Sequence, residues 1–436
     1  MRSIYLLLVY LAILGIGASA PFVLTLGYVW LDIFRPQSVA YSLLNGGVPI
    51  AMIMGAAALG GYFVLDRRSP PRFSAVTLLT LALAIWVTLT CLWAEVPEQA
   101  WIKWDWAFKT IVFSAFIPFV IRSRIQIEAF LLVFLFSLSA NVVPFGFKTL
   151  LSGGGYGHQL GLVNANNGLG EGATLATVCL MSIPIVLAIR KHSLIIPYNK
   201  FTNLAYLGFA ALAILTAIGT YERTGLVGLF VLAITLWITS RSKILIGGMC
   251  AVVALLIVYE TSDAWNTRMA TITAGAEENS IGVRLAVWKW TYNYALDHPF
   301  GGGFNAYWIQ YSELPSDNSP TGVTVVAHRA YHSIYFEVLG EEGWLGLGLF
   351  LSIVGLSYLS LWGVIRRCRD NPQLQWCGDL AKGVLGALTI MMTCGAFIGI
   401  AFQPFIWYAI ATSMSLREWL RRVETEQAPA LVPAFA

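Results

Sequence analysis

Charged side chains are scarce in this sequence of 436 residues. Asp, Glu, Lys and Arg together make up 11% of it, whereas hydrophobic residues make up 57%. A soluble globular domain has about 25% charged residues and fewer apolar ones. Because this chain cannot bury so many apolar side chains by folding in water, its composition excludes a soluble protein.

The sequence patterns of several common functional classes are also missing. The six cysteines include no Cys-x-x-Cys pair, which argues against both a disulfide framework and a zinc site. There is no GxxxxGK loop and no Rossmann glycine pattern, so an ATP-driven pump is not expected and no cofactor is predicted. The chain also has no Asp-x-Asp pair of the kind that chelates the divalent ion of a nucleotide sugar, so no metal site is predicted.

Long apolar runs, in contrast, are abundant. Residues 75–93, 127–145 and 167–189 each reach the roughly 20 residues that cross a hydrocarbon core of about 30 Å as a helix. The backbone must be helical there because lipid offers it no hydrogen-bond partners. The predicted fold class is an all-α, polytopic integral membrane protein with about 12 transmembrane helices and one large periplasmic loop containing short helices.

The first apolar stretch, residues 3–34, has more than one interpretation. A cleaved secretory signal ending in Ala18-Ser19-Ala20 is disfavoured, because hydrophobicity continues through Phe34 and further spans follow. We predict a single tilted or broken span, which with residues 45–65 gives about twelve helices and puts both termini in the cytoplasm. The alternative is two short helices, which would shift the N-terminus.

Lys and Arg recur in short connectors between the apolar runs. The positive-inside rule places such connectors in the cytoplasm, which predicts a multi-pass protein of the bacterial inner membrane with its site on the periplasmic face. The connectors contain Arg67/Arg68/Arg72, Arg122/Arg124, Arg190/Lys191/Lys200, Arg241/Lys243, Arg366/Arg367/Arg369 and Arg417/Arg421/Arg422. The outward segments are then residues 94–104, 146–166, 220–223 and 260–331.

The same map divides the chain into three regions. Residues 1–150 form an N-terminal transmembrane region, residues 151–415 a transmembrane core that includes the periplasmic loop 260–331, and residues 416–436 a cytoplasmic tail. Within the core, residues 380–413 must make a hairpin, with Pro404 in its second arm, because basic connectors flank both ends.

The large loop contains a helical pattern at residues 281–296, which Asn279 or Ser280 can cap. Its aromatic content is typical of a segment that lies at the level of the lipid headgroups. Arg284 lies on this helix. It either belongs to a functional site or is, like Lys289, a solvated or headgroup-facing charge, and the residues alone leave both interpretations open.

Two more ionisable residues are predicted at the same membrane surface. His332 lies where the loop returns into an apolar helix, and an imidazole there could accept a proton near neutral pH. Arg223 lies in a very short connector, and its planar guanidinium suits phosphate oxygens. Taken singly, the histidine could simply bond a carbonyl, and the arginine could pair with Glu222 or reach lipid headgroups. Together with Arg284, however, they fit a reaction that displaces an anionic leaving group such as pyrophosphate.

Neighbouring polar residues complete the predicted substrate site. Asn166 and Asn167 precede a span, and their carboxamides can hydrogen-bond sugar hydroxyls, although a turn followed by a helix cap is the plainer interpretation. His328 and Arg329 precede His332 in the returning segment. The residues predicted to bind substrate are Arg223, Arg284, His328, Arg329, Asn166 and Asn167.

Four motifs follow one another between residues 150 and 415. They are the Asn-rich start of a span at Asn164 to Asn167, an arginine at a short outer connector (Arg223), Arg284-x3-Trp288 followed by His298-Pro299-x-Gly301-x-Gly303, and His332-Ser333-x-Tyr335 leading into the glycine-rich segment that ends at Gly346. In this order they resemble the O-antigen ligase and polymerase family. Residues 21–36 are similar to the ligase-like branch associated with exosortase systems. Glu222, Ala165 and Ser333 depart from the residues common in the family.

The resemblance implies a metal-independent and ATP-independent inverting transfer of a glycan from undecaprenyl pyrophosphate to an acceptor hydroxyl on lipid A core or protein. It implies that His332 is the general base and that Arg223 and Arg284 hold the departing pyrophosphate. The expected partners are this donor, the acceptor and membrane lipids, and no nucleic acid.

Three other functions remain open from the sequence. An inert scaffold for surface assembly is one, although it would leave the clustered cations unexplained. A polymerase of the same family would differ only in its acceptor, which would be another lipid-linked glycan. A transporter of a lipid-linked glycan or a small anion would use the arginines to guide its substrate. Transporters usually place charges near the membrane midplane, where this chain has almost none, and this favours an enzyme.

Overall fold

The computed structural model describes residues 2–39, 47–68, 70–152, 168–239, 242–244, 247–248, 251, 278–315 and 323–427. In these ranges the chain is helical except for connecting segments and one β-hairpin. The α-helices of more than four residues are α1 (Arg2–Gly17), α2 (Phe22–Phe34), α3 (Ile50–Leu65), α4 (Ala75–Thr90), α5 (Pro97–Val120), α6 (Arg124–Ser152), α7 (Gly172–His192), α8 (Lys200–Gly219), α9 (Arg223–Thr239), α10 (Glu278–Asp297), α11 (Ile334–Cys368), α12 (Gln375–Gly395) and α13 (Pro404–Gln427). Shorter helical turns lie at Pro36–Val39, Cys91–Trp93, Ala306–Ile309 and Pro372–Leu374.

Many of these helices are apolar along their whole length. In the described ranges, six helical segments are long and apolar enough to cross a membrane, and four further apolar helices are shorter. The protein is therefore a multi-pass membrane protein, and its all-α class is confirmed. The total of about 12 spans stays a prediction.

The N-terminal stretch is not the single span that we predicted. It forms two antiparallel helices, α1 and α2, joined by a turn at residues 18–21. A Cβ atom on Gly17 would lie 2.2 Å from Leu24, and one on Gly27 would lie 2.5 Å from Ile13, so the missing side chains let the helices approach closely. Pro21 cannot continue α1 because proline has no backbone N–H to donate.

This hairpin also corrects the position of the N-terminus. Helix α2 is antiparallel to α3, since Leu24 lies against Gly61. Farther from the turn, the hydroxyl of Tyr10 in the middle of α1 donates to the carbonyl of Ile50, the first residue of α3, at 3.3 Å. The turn at residues 18–21 therefore shares an end of the bundle with the C-terminus of α3 and the Arg67 connector. The N-terminus lies at the opposite end, so the prediction of both termini on one side is wrong.

Several basic connectors meet at one end of the bundle, which we call the basic face. Hydrogen bonds and ion pairs link them across distant parts of the chain. They join Arg68 to Val120 O at 3.1 Å, Arg124 to His192 O, His192 to Asp379 at 3.0 Å, Arg190 to Asn203 at 3.1 Å and Arg367 to Glu424 at 3.0 Å. The connectors around Arg68, Arg124, Arg190 and Arg367, predicted to share one side of the membrane, thus do lie together, whereas Arg241 falls outside the described residues.

Helix α7 runs through the middle of the bundle, and 94% of the residues in its most apolar stretch are buried inside the protein. Glycines on its neighbours allow close packing against it. A Cβ atom on Gly383 of α12 would lie 2.7 Å from the carbonyl oxygen of Pro184, and one on Gly228 of α9 would lie 2.7 Å from Leu180. Small residues at helix contacts are typical of membrane bundles.

The predicted hairpin at 380–413 consists of α12, a non-helical turn at residues 396–403 that is partly buried, and α13. Pro404 lies in the second arm, as predicted, and is the first residue of α13. Proline suits the first position of a helix because the N–H at that position has no intrahelical partner. The turn carries Phe402, which is fully buried.

The large loop contains a β-hairpin that the sequence interpretation missed. Strands β1 (Tyr311–Pro315) and β2 (Val323–Ala327) pair antiparallel, with Tyr311 opposite Ala327. The predicted helix in the loop is confirmed as α10. It begins at Glu278, so that Asn279 and Ser280 lie inside its first turn and are not its caps.

Candidate functional site

The end of the bundle opposite the basic face carries α10, the β-hairpin and residues 328–333, which lead into α11. We call this end the loop face and residues 328–333 the returning segment. Trp288 of α10 anchors this layer. Its indole N–H donates to the carbonyl of Tyr331 at 2.8 Å, and its ring stacks on Phe336 with centroids 5.1 Å apart. Arg284, one helical turn earlier in α10, is half-buried. Trp288 thereby holds the returning segment under the helix that carries Arg284.

Residues 298–303, which we call the glycine-rich turn, follow α10 and pack against a break in α11. Gly343 interrupts α11 with φ +66°, and a Cβ atom there would lie 2.3 Å from the carbonyl oxygen of Pro299. Gly301 also has a positive φ, of +78°, and a Cβ atom there would lie 2.4 Å from the carbonyl oxygen of Glu341. Only glycine fits such contacts at such backbone angles. These glycines thus fix the large loop onto the bundle.

A buried ion cluster lies directly below this turn. Lys103 of α5 donates to Glu337 at 2.7 Å and to Glu341 at 2.9 and 2.8 Å, and all three side chains are at most 10% exposed. Both carboxylates also accept backbone N–H groups. The second oxygen of Glu337 accepts that of Ala401 at 2.9 Å, and Glu341 Oε1, which Lys103 also contacts, accepts that of Asn305 at 2.9 Å. The cluster therefore ties together α5, α11, the turn at 396–403 and the glycine-rich turn.

The returning segment is held by the β-hairpin. Gln310 is fully buried, and its carbonyl accepts the backbone N–H of His328 at 2.9 Å while its side-chain oxygen accepts that of Arg329 at 3.2 Å. The His328 ring bonds through Nδ1 to the carbonyl of Trp308. The side chains of His328 and Arg329 are exposed beyond these anchors.

His332 follows in a left-handed backbone conformation, with φ +47°, just before α11. Burial of its ring lowers its pKa, and the positive charges of Arg284 and Arg329 lower it further, whereas Glu171 at the start of α7 opposes them. A lowered pKa keeps the imidazole neutral, which is the state that can accept a proton.

Arg223 is the first residue of α9, in the tight connector predicted from the sequence, and it is half-buried. The end of α12 lies between it and His332. The thiol of Cys394 contacts the carbonyl of Thr224, and a Cβ atom on the adjacent Gly395 would lie 2.6 Å from Ile334. Arg223 and His332 thus flank the same helix end.

Left-handed non-glycine residues are concentrated around these positions. Among the described residues they are Arg35, Tyr221, Asn305, His328 and His332. Of these, Tyr221 is close in sequence to Arg223, and His328 and His332 are predicted site residues themselves. Such conformations cost on the order of 1–3 kcal/mol each and are typically found at functional sites.

Comparison with known protein families assigns two regions of the chain. Residues 208–351 match the family described as O-antigen ligase, and residues 1–194 match a family of unknown function, DUF5935. The first region contains Arg223, Arg284 and the returning segment with His332. Residues 208–351, about a third of the chain, therefore form a region of the O-antigen ligase and polymerase family. No curated protein matches it in a sequence search.

The structure brings some of the predicted site residues of this O-antigen ligase region together. Arg284, Arg329 and His332 are near enough for the two arginines to affect the pKa of the histidine. Arg223 lies across the end of α12 from them, and His328 lies four residues before His332. Asn166 and Asn167 fall outside the described residues. The roles of all these residues stay predictions.

The sequence interpretation missed several polar residues of this ligase-type loop face. Glu337 and Glu341 lie four residues apart in an apolar helix, and unpaired carboxylates in such a place would be costly, which was the available signal. Lys103, their partner, lies more than 200 residues away in the other matched region. Glu171 offered no such signal, because a single glutamate before a span is ordinary.

The described part of the chain has no group of three or more His, Cys, Asp and Glu side chains that could share a metal ion. Its clustered carboxylates, Glu337 and Glu341, are already occupied by Lys103 and by backbone N–H groups. Metal independence nevertheless stays a prediction.

Proposed function

We propose that this protein transfers an undecaprenyl-pyrophosphate-linked glycan to an acceptor hydroxyl on lipid A core or on a protein. Membership of the O-antigen ligase family supports a glycosyl-transfer enzyme of glycan assembly. The observation that carries the finer proposal is the half-buried His332, whose pKa is lowered by burial and by Arg284 and Arg329. A neutral base beside fixed cations suits a reaction that releases an anion.

In the proposed reaction the acceptor oxygen attacks the anomeric carbon of the donor sugar. The bond from that carbon to the pyrophosphate oxygen breaks, and its electron pair leaves with undecaprenyl pyrophosphate. His332 takes the proton of the acceptor hydroxyl, and the configuration at the anomeric carbon inverts. The donor is already activated, so the step needs no ATP.

Arg223 and Arg284 would bind the pyrophosphate oxygens as charge develops on them. A guanidinium presents a planar fork that can bridge two such oxygens. Polar atoms nearby are available for sugar hydroxyls. The Ser333 hydroxyl and the Gln403 side-chain oxygen are buried and have no hydrogen-bond partner among the described residues. Gln403 lies against Gly168, close in sequence to Glu171.

We further propose that the protein lies in the bacterial inner membrane with its loop face in the periplasm. The connectors gathered at the basic face support this orientation through the positive-inside rule. The labelling test uses the Cys250→Ser variant, because the other native cysteines are buried. In this variant, Ser312→Cys should react with an impermeant thiol reagent added from the periplasmic side. A cysteine at Arg367 should react only after the cells are opened. The reverse pattern would overturn the orientation.

The function is tested with purified full-length protein, an undecaprenyl-pyrophosphate-linked glycan and three separate acceptors: lipid A core, protein and a second lipid-linked glycan. The reactions contain EDTA and no ATP. Glycan joined to lipid A core or protein supports the proposal. Elongation of the lipid-linked glycan alone would assign a polymerase instead, and no transfer to any acceptor would contradict an enzymatic role with these substrates.

A further inference from the structure

A cavity of about 140 Å³ opens at the basic face, far from the loop face. It lies between the connector that precedes α4, the C-terminal end of α5 and the last turns of α13. Its lining consists of Pro71, Arg72, Phe73, Ser74, Thr77, Pro118, Phe119, Met414, Arg417, Glu418 and Arg421. Nothing in the proposed transfer reaction uses this place.

The charged part of the lining is mostly cationic. Three arginines face a single acid, Glu418, which leaves an excess of two positive charges. Glu418 is already occupied, since it accepts hydrogen bonds from Arg421 at 2.9 and 2.8 Å and from Arg422 at 3.1 Å. Arg72 and Arg417 are exposed and make no hydrogen bond or ion pair within the described part of the chain. Two guanidinium groups are thus available to an anion.

The start of α4 adds to the attraction for an anion. Ser74 caps this helix by accepting the N–H of Thr77 at 3.1 Å, and both residues line the cavity. The first turn of a helix carries partial positive charge because its N–H groups point outward without intrahelical partners. Phosphate groups are favoured at such places when cationic side chains are also present.

The rest of the lining is apolar, which distinguishes this cavity from a site for a soluble anion. Phe73 is 56% exposed at its rim and packs edge-to-face on Phe119, with centroids 5.2 Å apart. Pro118 and Met414 continue this wall. A free phosphate would gain nothing from such a surface, whereas a lipid would place its glycerol and first acyl carbons there.

We propose that this cavity binds the headgroup of an anionic phospholipid in the membrane leaflet next to the basic face. Arg72 and Arg417 bind its phosphate, and the wall formed by Phe73 and Phe119 contacts the start of its acyl chains. Basic pockets between transmembrane helices are suited to such headgroups. General attraction of arginines to the membrane surface would need neither a cavity nor an apolar wall.

The test uses the full-length protein purified in detergent and analysed by native mass spectrometry with added phosphatidylglycerol or phosphatidylcholine. The wild type should retain phosphatidylglycerol in preference to phosphatidylcholine. The Arg72→Gln/Arg417→Gln variant should bind phosphatidylglycerol about tenfold or more weakly, as expected for loss of hydrogen bonds to a charged group. The matched control is Arg369→Gln, which removes an exposed charge at the same face but outside the cavity and should bind as the wild type does.

Two further arms separate the possible ligands. Phe73→Ser should weaken phosphatidylglycerol binding, and added inorganic phosphate should compete poorly with the lipid. Strong competition by inorganic phosphate, unchanged by Phe73→Ser, would assign the site to a soluble anion and overturn the proposal. If the double variant and Arg369→Gln retain the lipid equally, Arg72 and Arg417 act only as general surface charges. That result would also overturn the proposal. The elution profile and melting temperature of each variant confirm that it is folded.

Discussion

The two faces of the bundle treat charge in opposite ways. At the loop face, Lys103, Glu337 and Glu341 are buried and joined to one another and to backbone N–H groups. At the basic face, Arg72 and Arg417 are exposed, and the cavity that they line contains more arginines than acidic residues. Buried charges need partners because they have lost water, whereas exposed ones do not.

This difference separates the expected consequences of mutation. A charge removed from the buried cluster leaves uncompensated partners inside the protein, so it should affect folding. A charge removed from the basic face leaves its neighbours in water and should affect binding alone. The predicted catalytic residues lie between these extremes, since Arg284, His332 and Arg223 are only half-buried. Their loss should reduce activity without unfolding the protein.

The largest expected effect is on catalysis at the loop face. His332→Gln should lower transfer about 10²- to 10⁴-fold, the usual contribution of a general base, with normal amounts of protein in the membrane. His328→Gln should lose much less, because the His328 ring is bonded to the Trp308 carbonyl. Glycan transfer by purified variants measures both. Activity retained in His332→Gln and abolished in His328→Gln would reverse the assignment of the base.

The next effect concerns the buried cluster. Lys103→Met should destabilise the fold by about 3–5 kcal/mol, because it leaves two buried carboxylates without a counter-ion. The matched control is Lys109→Met on the same helix. Its ion pair with Asp105, at 2.6 Å, has side chains 42% and 62% exposed, and its loss should cost less than about 1 kcal/mol. Unfolding in detergent, followed by melting temperature, compares the two.

A third variant identifies the cause of that loss. In Lys103→Met/Glu337→Gln/Glu341→Gln, the glutamine oxygens can still accept the N–H groups of Ala401 and Asn305 while no charge remains. Most of the stability should return if uncompensated charge is the cause. If the triple variant is no more stable than Lys103→Met, the cluster acts through packing, and the contrast between the two faces loses its electrostatic basis.

A smaller effect is expected when charge is kept but geometry is changed. Arg223→Lys and Arg284→Lys should each lower transfer about 100-fold, because lysine loses the planar fork that bridges two phosphate oxygens. Arg369→Lys at the basic face should transfer normally. Wild-type rates in both loop-face variants would leave these two arginines as headgroup anchors.

The smallest effect is a shift in the pH profile of transfer. His332 must be neutral to accept a proton, so the rate should fall as the pH drops through its pKa, which burial and the neighbouring arginines lower from the ordinary value of histidine. Arg329→Gln removes a positive charge and should raise that pKa, moving the acid limb to higher pH. Glu171→Gln should move it to lower pH. A limb that both substitutions leave unmoved would mean that another group is titrating.

Much of the bundle was predictable because membrane spans follow from composition alone. The apolar runs at 75–93 and 127–145 became α4 and α6, and the helix in the loop became α10. The errors arose where local sequence is ambiguous. Residues 3–34 are almost entirely apolar, so the turn that separates α1 from α2 is marked only by Pro21 and by the glycines that precede it. The β-hairpin was missed because its strands are five residues each.

The candidate site was predicted unevenly for a related reason. His332, Arg284 and Arg223 could be found because ionisable residues are rare beside apolar helices, and their order along the chain resembles the ligase family. Glu171 could not, since its relation to His332 depends on how the start of α7 packs beside the returning segment. Only proximity in the folded chain gives that glutamate an effect on the histidine.

The sequence by itself determined that this protein crosses the membrane many times, because the apolar length of each helix fixes its burial in lipid. It also determined which connectors gather at the basic face, because their charge keeps them out of the hydrocarbon. Only the tertiary structure decided the partners of buried charge. Lys103 and Glu341 are paired because the fold brings together side chains of two helices that are distant in sequence, and no local pattern encodes that contact.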